Sequence, residues 1–134
     1  MLMARALQLF MPGRPQVWYL DLFAGTNDYE AVRRAGPGGH KEINRSSLAL
    51  SDAEARLERP VVRDQIALLR MRNASPVFTE DAAVSFLTDG SVLEIRWTND
   101  AGTASLRADF AACGFDVRVQ DAEGSETFRY VQEG

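Results

Sequence analysis

Cysteine is nearly absent. Cys113 stands alone, so no internal disulfide can form and nothing implies an oxidising compartment. No His/Asn pattern surrounds it of the kind a thiol nucleophile needs, so it reads as a small core or surface residue. Long apolar runs are also missing. Stretches such as Val17–Leu20 fall far short of the roughly 20 residues of a membrane span. Arg5 and Gln8 interrupt the opening segment and no small-residue cleavage site follows, which argues against a signal peptide. Basic residues are scattered and the net charge is −4, so there is no electrostatic footprint for nucleic acid. The one histidine, His40, sits among glycines with no second ligand nearby, which offers no metal site. Gly36–Gly39 lacks a following Lys-Ser/Thr and is no phosphate loop. These absences predict a soluble, cytoplasmic chain without membrane, nucleic acid, metal or cofactor among its partners.

What is present is the ordinary balance of a globular protein, 46% apolar and 25% charged over 134 residues, enough for one domain or a small domain with part of another. Leu2–Phe10 is rich in helix formers and meets no breaker before Pro12-Gly13. It is apolar on most sides, as is a helix buried within something larger, so it reads as an element cut from its surroundings. Pro15–Leu20, short, β-branched and aromatic, reads as a buried strand that would normally take parallel neighbours. Residues 21–50 are irregular, with a helical turn expected at Tyr29–Arg34. Ser51-Asp-Ala-Glu54 has the form of a capping box opening a helix to about Glu58. Pro60 suits a first helical position, and Val62, Ile66, Leu69 and Asn73 share one face of a helix that Ser75-Pro76 ends.

Beyond Phe78 the period changes from helical to alternating. Residues 83–88 lead into the hairpin signal Asp89-Gly90, and Leu93, Ile95 and Trp97 alternate with polar neighbours. Ala104, Leu106 and Ala108 do the same, as do Phe115, Val117 and Val119, and Asp121–Gly124 turns the chain into a fifth strand over Thr127–Val131. Five short strands with one apolar face predict a small antiparallel β-domain.

Several collinear blocks carry a family resemblance. They are Pro-Gly-x-Pro-Gln-Val at Pro12–Val17, Leu-x-Ala-Gly-x-Asn-Asp at Leu22–Asp28 and Lys41-Glu-Ile-Asn-Arg45. Arg59-Pro-Val-Val62 with Arg72-Asn73, and Asp-Gly-x-x-x-x-Ile-x-Trp at Asp89–Trp97, complete the set. Over residues 4–110 the chain resembles the C-terminal portion of sucrose phosphorylases and related glycoside phosphorylases of the α-amylase superfamily. It departs from them at Lys41, at Asp21 and at Ser46-Ser47, where the family has other residue types.

The resemblance implies an α/β plus all-β fold. Residues 1–78 would be the last helix–strand–loop–helix of a (β/α)₈ TIM barrel, and residues 79–134 an antiparallel, β-sandwich-like C-terminal domain. It also implies a retaining glucosyl transfer from sucrose to phosphate, which needs two carboxyl groups roughly 5–5.5 Å apart. The family's catalytic carboxylates lie upstream of the segment matched here, so no catalytic residue is expected in this chain. Asp21, Asp28, Glu30 and Glu42 fall where the family has loop residues.

Arg45 is expected to bind the glucosyl unit, its guanidinium donating paired hydrogen bonds to sugar hydroxyls, and Asn44 to orient the loop beside it. The plain alternative for Arg45 is a surface ion pair with Glu42. Trp18 and Tyr19 are expected in the strand core, and Trp97 in the β-domain core. The partners implied are a sugar substrate and phosphate when the enzyme is complete. An apolar patch at Val17, Tyr19 and the first helix points to self-association or to a missing N-terminal barrel portion. Two further functions stand beside an inert C-terminal fragment: one half of a split enzyme, and a non-catalytic β-module binding sugar or protein.

Overall fold

The computed structural model describes residues 1–134. In order, the elements are α1 (Leu2–Phe10), α2 (Tyr19–Leu22), α3 (Tyr29–Ala35), a 3₁₀ helix (Gly39–Asn44), α4 (Leu50–Leu57) and α5 (Pro60–Ala74). Strands β1 (Ala83–Asp89), β2 (Val92–Asn99), β3 (Gly102–Asp109), β4 (Gly114–Asp121) and β5 (Glu126–Gln132) follow. None of the helices is long and apolar enough to cross a membrane. A few helices and a five-stranded antiparallel sheet thus make up the chain.

Residues 1–15 and 67–134 form one compact unit and residues 16–66 a second, with α5 beginning in the second and ending in the first. In the first unit α1 and the end of α5 share a core with the sheet. The sheet is a single layer in the order β1-β2-β3-β4-β5, so the sandwich expected of residues 79–134 is a meander. Helices, not a second sheet, cover its apolar face.

That face is what alternation dictates. Ile95 and Trp97 pair across to Leu106 and Ala104, which pair in turn to Val117 and Val119, and all six are buried. Ala6, Leu9 and Phe10 of α1, with Leu68 and Met71 of α5, close the layer. Small Ala104 and Ala108 on the central strand leave room for α1, which packs over β3 and β4. Two side chains cap the C-terminal carbonyls of α1, groups that any helix leaves without partners. Trp97 Nε1 donates to the Phe10 carbonyl at 2.7 Å, and Arg72 Nε to the Leu9 carbonyl at 2.8 Å. The Arg72 guanidinium also reaches the carbonyls of Gly13 at 3.2 Å and Phe78 at 3.4 Å. It lies 4.1 Å above the Phe78 ring, and burial pushes it below the ordinary arginine value.

The turns use the chemistry their sequences announce. Asp109 accepts from the N–H groups of Ala111 and Ala112 and from the Ser91 hydroxyl, while Asp121 accepts from Glu123 and Ser125. Gly102 opens β3 at φ 137°, where a Cβ would lie 2.1 Å from the Gln120 carbonyl oxygen. Only glycine fits there.

In the second unit the expected strand is absent. Residues 14–18 belong to no ladder, and the chain enters α2 at Tyr19. Strand pairing needs a neighbour, and the only sheet in the chain is the antiparallel meander. Consequently Trp18 and Tyr19 are 47% and 39% exposed instead of forming a strand core. The carbonyls of Asp21, Leu22, Phe23 and Ala24 are taken by side chains of the later helices. Gln65 Nε2, on a fully buried residue, donates to Asp21 at 3.2 Å and Leu22 at 3.1 Å. Arg56 reaches Phe23 at 3.4 Å and Arg59 reaches Ala24 at 3.0 Å.

This use of Gln65 shifts the buried stripe of α5. Its buried residues are Val62, Gln65, Leu68 and Met71, while Asn73, expected on the buried row, is exposed. α5 does begin at Pro60, as read from the sequence. The capping box does not form: α4 opens after Ala49 with no side-chain cap, which places Ser51 inside the helix. The turn expected at Tyr29–Arg34 is α3, one residue longer, with the Asp28 carboxylate accepting from the Ala31 N–H at 2.8 Å.

Candidate functional site

The loop that carries Asn44 and Arg45 is built by glycines and held by aromatics. Gly36 and Gly38 take φ values of 68° and 85°, which fold the chain back after α3. At Gly39 a Cβ would stand 2.5 Å from the Ala35 Cβ, so this turn packs directly against the helix end. The 3₁₀ helix then runs to Asn44, with the Asp28 N–H donating to the Ile43 carbonyl at 2.7 Å.

On one side of Arg45, Trp18 Nε1 donates to the Asn44 carbonyl at 2.8 Å. On the other, the Tyr19 hydroxyl donates to the Ser46 carbonyl. The two rings lie 5.1 Å apart and support one another. Arg45 is thus bracketed by two tethered peptide groups, which fixes where its Cβ points while leaving its side chain 56% exposed. A pre-set backbone with an exposed, charged head suits a ligand-binding arginine.

The Arg45 guanidinium pairs with the Glu42 carboxylate, Nη1 to Oε1 at 3.3 Å. The ion pair considered from the sequence is therefore present. An exposed pair of this kind stabilises by about 0.2–1 kcal/mol, little enough for a ligand to exchange it for its own acceptors. Asn44 serves the loop through its main-chain carbonyl, and its side chain is exposed. Among the acids set aside earlier, Glu30 pairs with Arg33 at 2.6 Å and Asp28 with Arg34 at 4.0 Å, while Asp28 also caps α3.

A polar cleft of about 460 Å³ opens in the same unit, lined in part by Thr26, Asn27, Asp28, Ser46, Ser47 and Arg56. Ser46 links it to the tethered loop, although Asn44 and Arg45 are not among its walls. His40 is exposed on the 3₁₀ helix, and no three His, Cys, Asp or Glu side chains gather as metal ligands. Cys113 is exposed in the turn before β4, at φ 56°. The residues that sequence reasoning missed are Trp18 and Tyr19, whose polar tips hold the Arg45 loop. Their pairing as adjacent amphipathic aromatics was the available signal, and it was absorbed by the strand reading.

No family model matches the chain. It is 51% identical over 128 residues to the sucrose 6(F)-phosphate phosphorylase of Ilumatobacter coccineus, covering 96% of this chain and 24% of the relative. It is 36% identical over 104 residues to the sucrose phosphorylase of Bifidobacterium adolescentis, covering 77% of this chain and 20% of that protein. Among solved structures, the crystal structure of sucrose 6F-phosphate phosphorylase from Thermoanaerobacter thermosaccharolyticum superposes with a TM-score of 0.83 at 32% identity, over 98% of this chain and 26% of that one. The chain spans about a quarter of the length of the relatives it matches.

Proposed function

The chain belongs to the sucrose phosphorylase family, of which it carries the C-terminal portion, and on that premise we propose that it completes the sugar site of a retaining glucosyl phosphorylase whose catalytic carboxylates lie elsewhere. Residues 1–78 supply the last helix, strand, loop and helix of a (β/α)₈ barrel, and residues 79–134 the β-domain. Residues 14–18 complete a parallel sheet when barrel strands flank them. Sucrose and phosphate are the substrates of the whole enzyme. One carboxylate displaces fructose to form a glucosyl ester, a second protonates the departing oxygen, and phosphate then takes the glucosyl unit as glucose 1-phosphate. The reaction belongs to the cytoplasm.

Arg45 is the residue of this chain that touches substrate. Its guanidinium leaves Glu42 and donates to hydroxyls of the glucosyl unit, while Asn44 keeps the loop in place. What supports this is the bracketing of Arg45 by the Trp18 and Tyr19 hydrogen bonds, within a chain half identical to a sucrose 6(F)-phosphate phosphorylase. The apolar helix α1 and the exposed Trp18 and Tyr19 then meet either the rest of the barrel or another copy.

The test replaces the matching quarter of the Ilumatobacter coccineus relative with this chain and measures phosphorolysis. The chimera turns over, and Arg45→Ala lowers kcat/KM by about 150-fold or more, since two charge-assisted bonds contribute roughly 3–6 kcal/mol. Loss below threefold refutes the assignment of Arg45. The purified chain alone releases no glucose 1-phosphate. Activity on mixing with a chain holding the first seven strands marks a split enzyme. An isolated chain that binds sucrose or glucan, and loses binding in Arg45→Ala, marks a sugar-binding module.

A further inference from the structure

α2 is four residues long, and a helix of one turn does not hold itself together. Backbone N–H groups take the carbonyls of Trp18, Tyr19, Leu20 and Asp21. Those of Leu22, Phe23 and Ala24 are left to side chains from α4, α5 and the residues between them. The turn that these groups close is tightly constrained. Ala24 stands at φ 48°, in the left-handed region, and a Cβ on Gly25 would run into the Leu20 side chain. Alanine keeps such a conformation only where its surroundings impose it.

The three donors are not equal. Arg56 reaches Phe23 at 3.4 Å, a long contact, and Arg59, which reaches Ala24 at 3.0 Å, is exposed, so water can stand in for either. Gln65 is 0% exposed, and its Nε2 donates at 3.1 Å to Leu22 and at 3.2 Å to Asp21. Water does not replace a bond at a sealed position, so loss of that amide falls on the backbone of α2. The chain itself makes this burial, and further protein packed outside would not undo it.

Trp18 and Tyr19 stand at the entry to α2, and their polar tips hold the carbonyls on either side of Arg45. We propose that Gln65 is a positioning residue of the sugar site. It touches no substrate, but by fixing the backbone of α2 it sets where Trp18 and Tyr19 hold the Arg45 loop. This role rests on Arg45 binding the glucosyl unit. The path runs from the Gln65 amide to the Leu22 carbonyl, and from the Leu22 N–H to the Trp18 carbonyl at 3.0 Å. It continues through the indole and the phenol to the peptide groups of Asn44 and Ser46, all within residues 16–66.

The chain has two tryptophans, one in each unit, so nuclear magnetic resonance of the full chain gives two indole N–H signals, with Trp97 as the internal reference. Gln65→Met keeps the volume and removes the donors. It moves the Trp18 signal toward that of a free indole and leaves the Trp97 signal in place. In the chimera, assayed well below its unfolding temperature, Gln65→Met lowers kcat/KM about tenfold, the size of one buried hydrogen bond. Beside Arg45→Ala the same substitution changes it by less than about threefold, because the loop then has nothing to place. Tyr19→Phe removes a single hydroxyl at an exposed position, and its loss of about threefold or more depends on Arg45 in the same way. No loss in Tyr19→Phe breaks the path and overturns the proposal, even where Gln65→Met does not fold. A Trp18 signal that stays put in Gln65→Met also overturns it, as does a kinetic loss that persists beside Arg45→Ala. A lower Tm with signal and rate both unchanged shows a residue that only stabilises, and equally overturns it. If Arg45→Ala itself costs less than about threefold, the sugar-site reading fails and takes this role with it. The Trp18 signal moves all the same, which separates that result from a failure at Gln65.

Discussion

Arg72→Met isolates the guanidinium from its stem, because methionine keeps most of the aliphatic contact with Phe78 while removing every donor. Three carbonyls lose a partner: Leu9 at 2.8 Å, Gly13 at 3.2 Å and Phe78 at 3.4 Å. The Gly13 carbonyl is exposed and takes up water at little cost. The 3.4 Å contact is long and counts for little. The Leu9 bond is short, part-buried and charge-assisted, and contributes about 1.5–3 kcal/mol. The stack over Phe78 adds about 0.5–1 kcal/mol. Together these give a loss of roughly 2–4 kcal/mol, or about 6–20 °C in Tm for a chain of this size. Thermal and urea unfolding followed by circular dichroism measures it, with exposed Arg70→Met as the control. A loss under about 1 kcal/mol refutes the claim that Arg72 holds the end of α1 on the sheet.

Gly102→Ala destabilises by about 2–4 kcal/mol, since the new Cβ meets the Gln120 carbonyl in a left-handed backbone, and urea unfolding that moves less contradicts this. The Ala112 N–H, and after it the Ser91 hydroxyl, hold the Asp109 carboxyl below the usual aspartate value. Its stabilising effect is complete above the unfolded value, near about 3.9, and is lost as pH falls through the folded one. The difference in urea midpoint between wild type and Asp109→Asn is therefore largest near neutral pH and closes in acid. A gap that stays constant to about pH 2 contradicts the assignment.

Much of the fold was legible because periodicity reports burial. The alternation from Ala83 to Val131 defines the strands of the meander, and α1, α3 and α5 lie within a residue of where propensity and breakers put them. What alternation does not carry is the layer that covers the sheet, so a sandwich and a helix-covered meander read alike until Leu9, Phe10 and Leu68 are seen beneath it. Pro15–Leu20 has strand composition, but composition supplies no neighbour, and the segment ends instead in α2 with its carbonyls held by Gln65, Arg56 and Arg59. The row Val62, Ile66, Leu69 and Asn73 differs from the buried stripe for a related reason: α5 turns Gln65 inward to two carbonyls more than forty residues away, which nothing local encodes. At the candidate site, Arg45 was picked out by the family resemblance, and its ion pair with Glu42, three positions earlier, was the plain alternative that the structure contains. The hydrogen bonds of Trp18 and Tyr19 to a loop more than twenty residues away were not, because nothing local encodes them.

The hydrogen bond from Trp97 to Phe10 joins residues 87 positions apart. On a ribosome adding about 5–20 residues per second, α1 therefore emerges roughly 4–17 seconds before the tryptophan that seats it. For that interval Leu9 and Phe10 lack the sheet they pack on. Until β2 and β3 follow, the apolar side that α1 lays on the sheet has no strand to cover it.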